Sequence, residues 1–118
     1  PQDNERAYKW FTKAFEQGDK GAAKALCAMY FGGTYVQKDY TQAFKYLKIA
    51  ADDGDSECQW AIGEMLIDGE VDGEGVDADE EEGVKWLEKS ARGGHKEAKK
   101  SLEERIKHAQ SAVEMALP

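Results

Sequence analysis

Asp79-Glu80-Glu81-Glu82-Gly83-Val84-Lys85-Trp86-Leu87-Glu88-Lys89-Ser90-Ala91-Arg92-Gly93-Gly94 is the stretch from which the fold can be read. Its skeleton is an Asp, a small residue, a Lys, an aromatic, an apolar residue, Ala or Ser, and a closing Gly. The same skeleton begins at Asp39 and at Asp3. In register the positions are Ala7, Ala43 and Gly83; Lys9, Lys45 and Lys85; Trp10, Tyr46 and Trp86; Phe11, Leu47 and Leu87; Ala14, Ala50 and Ser90; Gly18, Gly54 and Gly94. The copies are spaced by 36 and 40 residues. Periods of that length mark stacked supersecondary units, none of which buries its apolar face alone.

Within each copy the apolar or small residues recur at offsets of three, four and seven, as in Ala7, Trp10, Phe11 and Ala14, which describes one face of an α-helix. Asp3, Asp39 and Asp79 stand where an N-cap carboxylate accepts a free backbone N–H. The closing glycines suit the left-handed residue past a helix C-terminus. A second helical pattern follows each glycine: Ala22, Ala25, Leu26, Met29, Tyr30, then Cys58, Ala61, Ile62, Met65, Leu66. Its third version, Ala98, Ser101, Leu102, Arg105, Ile106, runs on through Ala109 and Val113 without a glycine, as a terminal capping helix with a polar outer side does. Helix pairs of this length with small residues at close approaches predict an antiparallel α/α solenoid, and no strand-like alternation competes.

These residues resemble the Sel-1-like repeats, a branch of the tetratricopeptide-like solenoids, over most of the chain. The residues that carry the likeness are Ala22, Leu26, Tyr30, Gly33, Val36, Asp39, Ala43, Tyr46, Ala50, Ala51 and Gly54. They are followed by Cys58, Ile62, Gly63, Leu66, Gly73, Gly75, Val76, Asp79, Trp86, Lys89, Ala91 and Gly94. Departures are Cys27 where glycine is usual, Gly83 where alanine is usual, and an insertion at residues 69–72. The resemblance implies an all-α fold, a right-handed α/α superhelix of about two and a half helix-pair repeats in a single domain, 1–118. Residues 1–18 are expected to be the second helix of a truncated repeat, 19–54 and 55–94 repeats, and 95–118 the capping helix, so that the chain reads as a piece of a longer repeat protein. Cysteine-rich members of the family pair cysteines at positions that correspond to Ala51 and Gln59, so that framework is missing. Cys27 and Cys58 occupy small-residue positions, where a buried thiol acts as a compact apolar group, and the compartment leans reducing.

The chain has 118 residues, a net charge of −8 and 41% hydrophobic content. That is one domain of ordinary size. Its acidity argues against nucleic-acid binding, which needs clustered Lys and Arg. No segment approaches the roughly 20 apolar residues that span a bilayer, so membrane insertion is not expected. The run Asp77 to Glu82 reads as a solvated cap favoured by a helix macrodipole. His95 and His108 have no ligand-spaced partner, so no zinc site is implied. Neither a Ser-x-x-Lys arrangement, at Ser56, Ser90, Ser101 or Ser111, nor a nucleophile elbow, nor a P-loop is present. The expectation is therefore no enzyme, no cofactor and no metal. A remote alternative is calcium at Asp68-Gly69-Glu70-Val71-Asp72-Gly73 with Asp79, against which stand the long Glu70, Gly75 in an apolar position and the short Asp79.

A second stripe on the Cys58 helix, Trp60, Glu64 and Ile67, lies well rotated from the core set Cys58, Ile62 and Leu66. Lys24, Ala28 and Phe31 are its counterparts one repeat earlier; Glu97, Lys100 and Glu104 lie in the cap. By resemblance this face lines the concave groove that holds a protein or peptide partner. Apolar anchors would be Phe31, Trp60 and Ile67, with Lys24, Glu57 and Glu64 setting charge register. Trp10 and Trp86, in the repeat's core position, are expected to be structural. The competing expectation is a spacer or self-association segment, with a homodimer formed through the open N-terminal end at residues 3–17.

Overall fold

A computed structural model describes residues 2–71, 74–75 and 77–117. Its helices are α1 (Gln2–Glu16), α2 (Ala22–Gly32), α3 (Tyr40–Asp52), α4 (Ser56–Asp68), α5 (Glu80–Arg92) and α6 (Lys96–Ala116). They pair and stack into an all-α solenoid measuring 65 × 28 × 21 Å. α1, α3 and α5 carry the Asp-to-Gly fingerprint; α2, α4 and α6 carry the intervening pattern.

Local chemistry fixes the ends. Asp39 Oδ1 accepts from the Gln42 amide and Asp79 Oδ1 from the Glu82 amide, both at 3.1 Å. Asp55 caps α4 through the Cys58 amide at 2.9 Å. His95 caps α6 through Nδ1 and the Ala98 amide at 3.2 Å. Asp3 departs from expectation: α1 already begins at Gln2, so Asp3 lies inside the first turn, where its charge still meets the positive end of the helix. Gly18, Gly54 and Gly94 have φ of 97°, 105° and 93°, the left-handed conformation that lets the chain reverse between helices.

The core runs through Ala23, Cys27, Leu47, Ala50, Ala51, Cys58, Ile62, Leu66 and Trp86. Small residues set its closest approach. A Cβ on Gly63 would stand 2.9 Å from the Gly83 carbonyl oxygen, and one on Gly83 only 2.7 Å from Ile67 Cγ1. The family departure at Gly83 is thus one half of a reciprocal glycine contact between α4 and α5. The equivalent pair between α2 and α3 is Cys27 and Ala43. The polar residues Ser90 and Gln59 are buried and bonded: Ser90 Oγ donates to the Ser56 carbonyl at 2.6 Å and Gln59 Nε2 to the Ala51 carbonyl at 3.1 Å.

Three further sequence expectations need correction. Trp86 is 6% exposed and Trp10 70%, so only Trp86 is a core residue. The cause is the neighbour on each side: Trp86 joins the cluster formed by α3 and α4, whereas no described helix packs over Trp10. The second concerns the insertion after α4. Gly69, at φ 75°, ends α4, and Glu70–Val71 (β1) pairs antiparallel with Glu74–Gly75 (β2), Glu70 opposite Gly75 and Val71 opposite Glu74. The inserted residues give the loop enough length to fold back on itself as a two-residue ladder. Ile106, expected in the apolar set of the cap, is also mostly exposed, because α6 runs beyond the helices beneath it.

Candidate partner-binding face

α2, α4 and α6 lie side by side, tied by side chains. Lys24 Nζ on α2 bonds Glu57 Oε2 at 3.1 Å and the α4 cap Asp55 Oδ2 at 3.2 Å. The bonds to Glu57 and Asp55 raise the Lys24 ammonium above its ordinary value. Burial pushes the Asp55 carboxyl up, but the Cys58 amide and the Lys24 ammonium outweigh it and hold the group below the usual range. One repeat on, the Trp60 indole stacks on the His95 ring with centroids 5.2 Å apart and planes at 22°. Glu64 Oε1 accepts from Ser101 Oγ of α6 at 2.8 Å. Arg105 of α6 reaches across to Glu80 of α5.

The six candidate residues therefore divide. Lys24 and Glu57 are brought together, exposed and bonded to one another. Trp60 and Glu64 share one face but are half-buried and spent on α6, and the Trp60 Nε1–H is buried without a hydrogen-bond partner. Phe31 leans on Tyr40, the first residue of α3, with centroids 5.7 Å apart, and packs against the core. Ile67 is half-buried against Gly83. The face thus presents polar and small side chains, Lys24, Ala28, Glu57, Glu97, Lys100 and Glu104, over a layer of aromatic and apolar contacts.

Sequence reading missed Asp55 and His95. Their common offset was a visible signal, since Asp19, Asp55 and His95 occupy the same place before α2, α4 and α6. It also missed an aromatic ladder. Phe15 meets Tyr46 edge-on at 5.2 Å, Tyr46 stacks on Tyr30 at 5.8 Å, and the Tyr30 and Tyr8 hydroxyls are 2.9 Å apart. The hydrogen bond with Tyr8 and burial push the Tyr30 phenol up to about 12. Tyr35, at φ 65°, extends the ladder from Tyr8 at a backbone position where the next repeat has Gly75.

Cys27 and Cys58 are both buried and free. Burial pushes their thiols up to about 11 and about 12, the Asp55 carboxylate adding to the effect at Cys58, so both stay protonated and unreactive at neutral pH. Among the described residues no group of acidic, His and Cys side chains is arranged to hold a metal ion, and no helix is long and apolar enough to cross a membrane. Of the calcium alternative, Asp72 and Gly73 lie outside the described residues, as does the side chain of Glu70.

The sequence profile of the Sel1 repeat matches residues 1–19, 21–55 and 56–95. No curated protein matches. Among solved structures, the chain is similar to a Sel1 repeat protein from Oxalobacter formigenes. The two are 33% identical with a TM-score of 0.72, over 82% of this chain and 70% of that one. It is also similar to a protective antigen present in uropathogenic Escherichia coli strains that displays an SLR fold. There the identity is 28% and the TM-score 0.67, over 81% of this chain but only 20% of the antigen.

Proposed function

We propose, from the premise that this chain belongs to the Sel1 repeat family, that it is a noncatalytic adaptor module which holds a protein or peptide on the face shared by α2, α4 and α6. Sel1 repeat folds typically mediate protein–protein interaction and are generally noncatalytic scaffolds. The observation that carries the reading is the set of cross-links between helices on that face. Lys24 to Asp55 and Glu57, Trp60 to His95, and Glu64 to Ser101 hold three helices in one rigid arrangement. A preorganised surface loses little freedom on binding, so weak contacts add up to useful affinity. Phe31, Trp60 and Ile67 act here as supports beneath the surface. Direct contact falls to Lys24, Ala28, Glu57 and the exposed charges of α6, which set the partner's charge register.

Site-specific photocrosslinking tests this. A photoreactive residue at Ala28 or Lys100 should capture a polypeptide, one at Glu88 on α5 should not, and Lys24→Glu should reduce capture at Ala28. Equal capture at Glu88 would remove the shared face as the working surface. A second reading, self-association through α1, is favoured by the exposure of Trp10.

A further inference from the structure

The three fingerprint helices can be compared place by place, and at one place the chemistry changes. Two residues past the leading Asp stand Glu5, Thr41 and Glu81, and four residues further on stand Lys9, Lys45 and Lys85. Residues four apart are neighbours on a helix surface. In α1 the pair closes, Lys9 Nζ to Glu5 Oε1 at 2.8 Å, and in α5 Lys85 Nζ lies 3.7 Å from Glu81 Oε1. In α3 the lysine is kept and the carboxylate is missing. Among the described residues Lys45 makes no ion pair, and it lies over the Tyr46 ring, 5.6 Å from the centroid.

The missing charge belongs to the whole first turn. α1 has Asp3 and Glu5 there and α5 has Glu80, Glu81 and Glu82, whereas the first turn of α3 holds no acidic residue. Thr41 fills the place with an exposed hydroxyl, to which a negative charge can be added covalently, and lysines stand on both sides of it in sequence, at 38 and 45. It also borders the irregular segment 33–39, so fraying of one helical turn is enough to present it in extended form. Among the described residues the other exposed Ser or Thr is Ser111, which lies well inside α6, three residues before Glu114.

We propose that Thr41 is a phosphorylation site, and that its phosphate closes with Lys45 the pair that Glu5 and Glu81 make in the other repeats. A protein kinase supplies the group from a nucleoside triphosphate. The bond from Thr41 Oγ1 to the γ-phosphorus forms as the bond from that phosphorus to the bridging oxygen breaks; the nucleoside diphosphate leaves, and the hydroxyl proton passes to the kinase's general base. The phosphate carries about −1.5 to −2 charges at neutral pH, more than a glutamate, at the end of a helix where anions are stabilised. The modification fastens the first turn of α3, the helix packed between α2 and α4.

The test has two arms, both on the full chain. In the first, the wild type, Thr41→Val and Thr41→Ser, each checked for unchanged helicity, are incubated with Mg²⁺, γ-labelled ATP and a soluble extract of the organism that encodes the chain. The wild type and Thr41→Ser should take up label, and Thr41→Val at least tenfold less. No label on the wild type, or equal label on Thr41→Val, overturns the site. In the second arm phosphothreonine is installed at position 41 by semisynthesis, alone or together with Lys45→Gln. With Lys45 present the phosphate should slow hydrogen exchange of the Gln42 to Phe44 amides about threefold, and by less in the Lys45→Gln chain. Equal slowing in the two chains overturns the Lys45 pair and leaves the charge acting on the helix end alone; no slowing in either overturns the fastening of α3.

Discussion

Asp55 shows how much one carboxylate can do in a repeat. It caps α4 through the Cys58 amide, anchors Lys24 of the neighbouring helix, and its charge adds to the burial that keeps the Cys58 thiol protonated. The Lys24 contact and the effect on Cys58 need the ionised form, and a sign follows for pH. The folded value lies below the ordinary 3.8, so its contribution is fully present above the unfolded value and is lost as pH falls through the folded one. Asp55→Asn keeps an N-cap acceptor and removes the charge. Its stability deficit, measured by urea unfolding, should be full well above the ordinary 3.8 and shrink as pH falls through the lower folded value, where the wild type gives up its ionised carboxylate. Curves that run parallel from pH 3 to pH 6 would mean that the Lys24 contact is immaterial. At the equivalent place before α6 stands His95, which caps through a lone pair on Nδ1 while its ring lies on Trp60. There one side chain joins the end of a helix to the support of the candidate face.

Helix pairs are the level at which the sequence was most legible, because a repeat states its own register three times. The fingerprint located α3 and α5 with their Asp caps and reversing glycines, and the intervening pattern located α2 and α4. Neighbours decided the rest. The same aromatic position is core at Trp86 and surface at Trp10, and periodicity within one helix cannot tell which helix lies beyond it. For the same reason the candidate stripe on α4 gave no sign that Trp60 and Glu64 would be committed to α6 and Ile67 to α5. The glycines are the clearest case of packing over propensity. Alanine is a better helix former than glycine by about 1 kcal/mol, so helix propensity alone makes Gly83→Ala stabilising. Packing reverses the sign, since the added methyl would meet Ile67 Cγ1 at 2.7 Å and the Gly63 carbonyl oxygen at 2.8 Å, a backbone group that cannot swing aside. Gly83→Ala is therefore expected to cost about 1–3 kcal/mol in chemical denaturation. A variant as stable as the wild type would show that α4 and α5 can separate without loss.

Across the whole molecule, stability in a solenoid is a sum over units and the interfaces between neighbours, so a residue's weight depends on how many neighbours it has. The middle of the chain, α3 to α5, is flanked on both sides and holds Ile62, Leu87 and Ser90 at or near complete burial. α1 leaves Trp10 uncovered, and the last turns of α6, with Val113 and Met115, stand in solvent together with Leu117 just beyond them. An amphipathic helix without a partner for its apolar side is marginal in water, because most helical stability comes from packing. Local opening should follow that gradient: amides of α1 and of the second half of α6 exchange first, and those of α4 and α5 last. The tryptophans turn the gradient into a measurement. Trp86→Ala removes a nearly enclosed indole from the cluster with Ile62 and Leu66 and should cost about 3–5 kcal/mol, enough to threaten the fold of a domain this size. Trp10→Ala removes an indole that is mostly in water and should change unfolding of the monomer by less than about 0.5 kcal/mol. Urea denaturation of both variants at dilute, monomeric concentration reads the difference directly. Equal losses would mean that α1 is buried in solution even in the single chain, and that the uncovered N-terminal side of the solenoid does not exist.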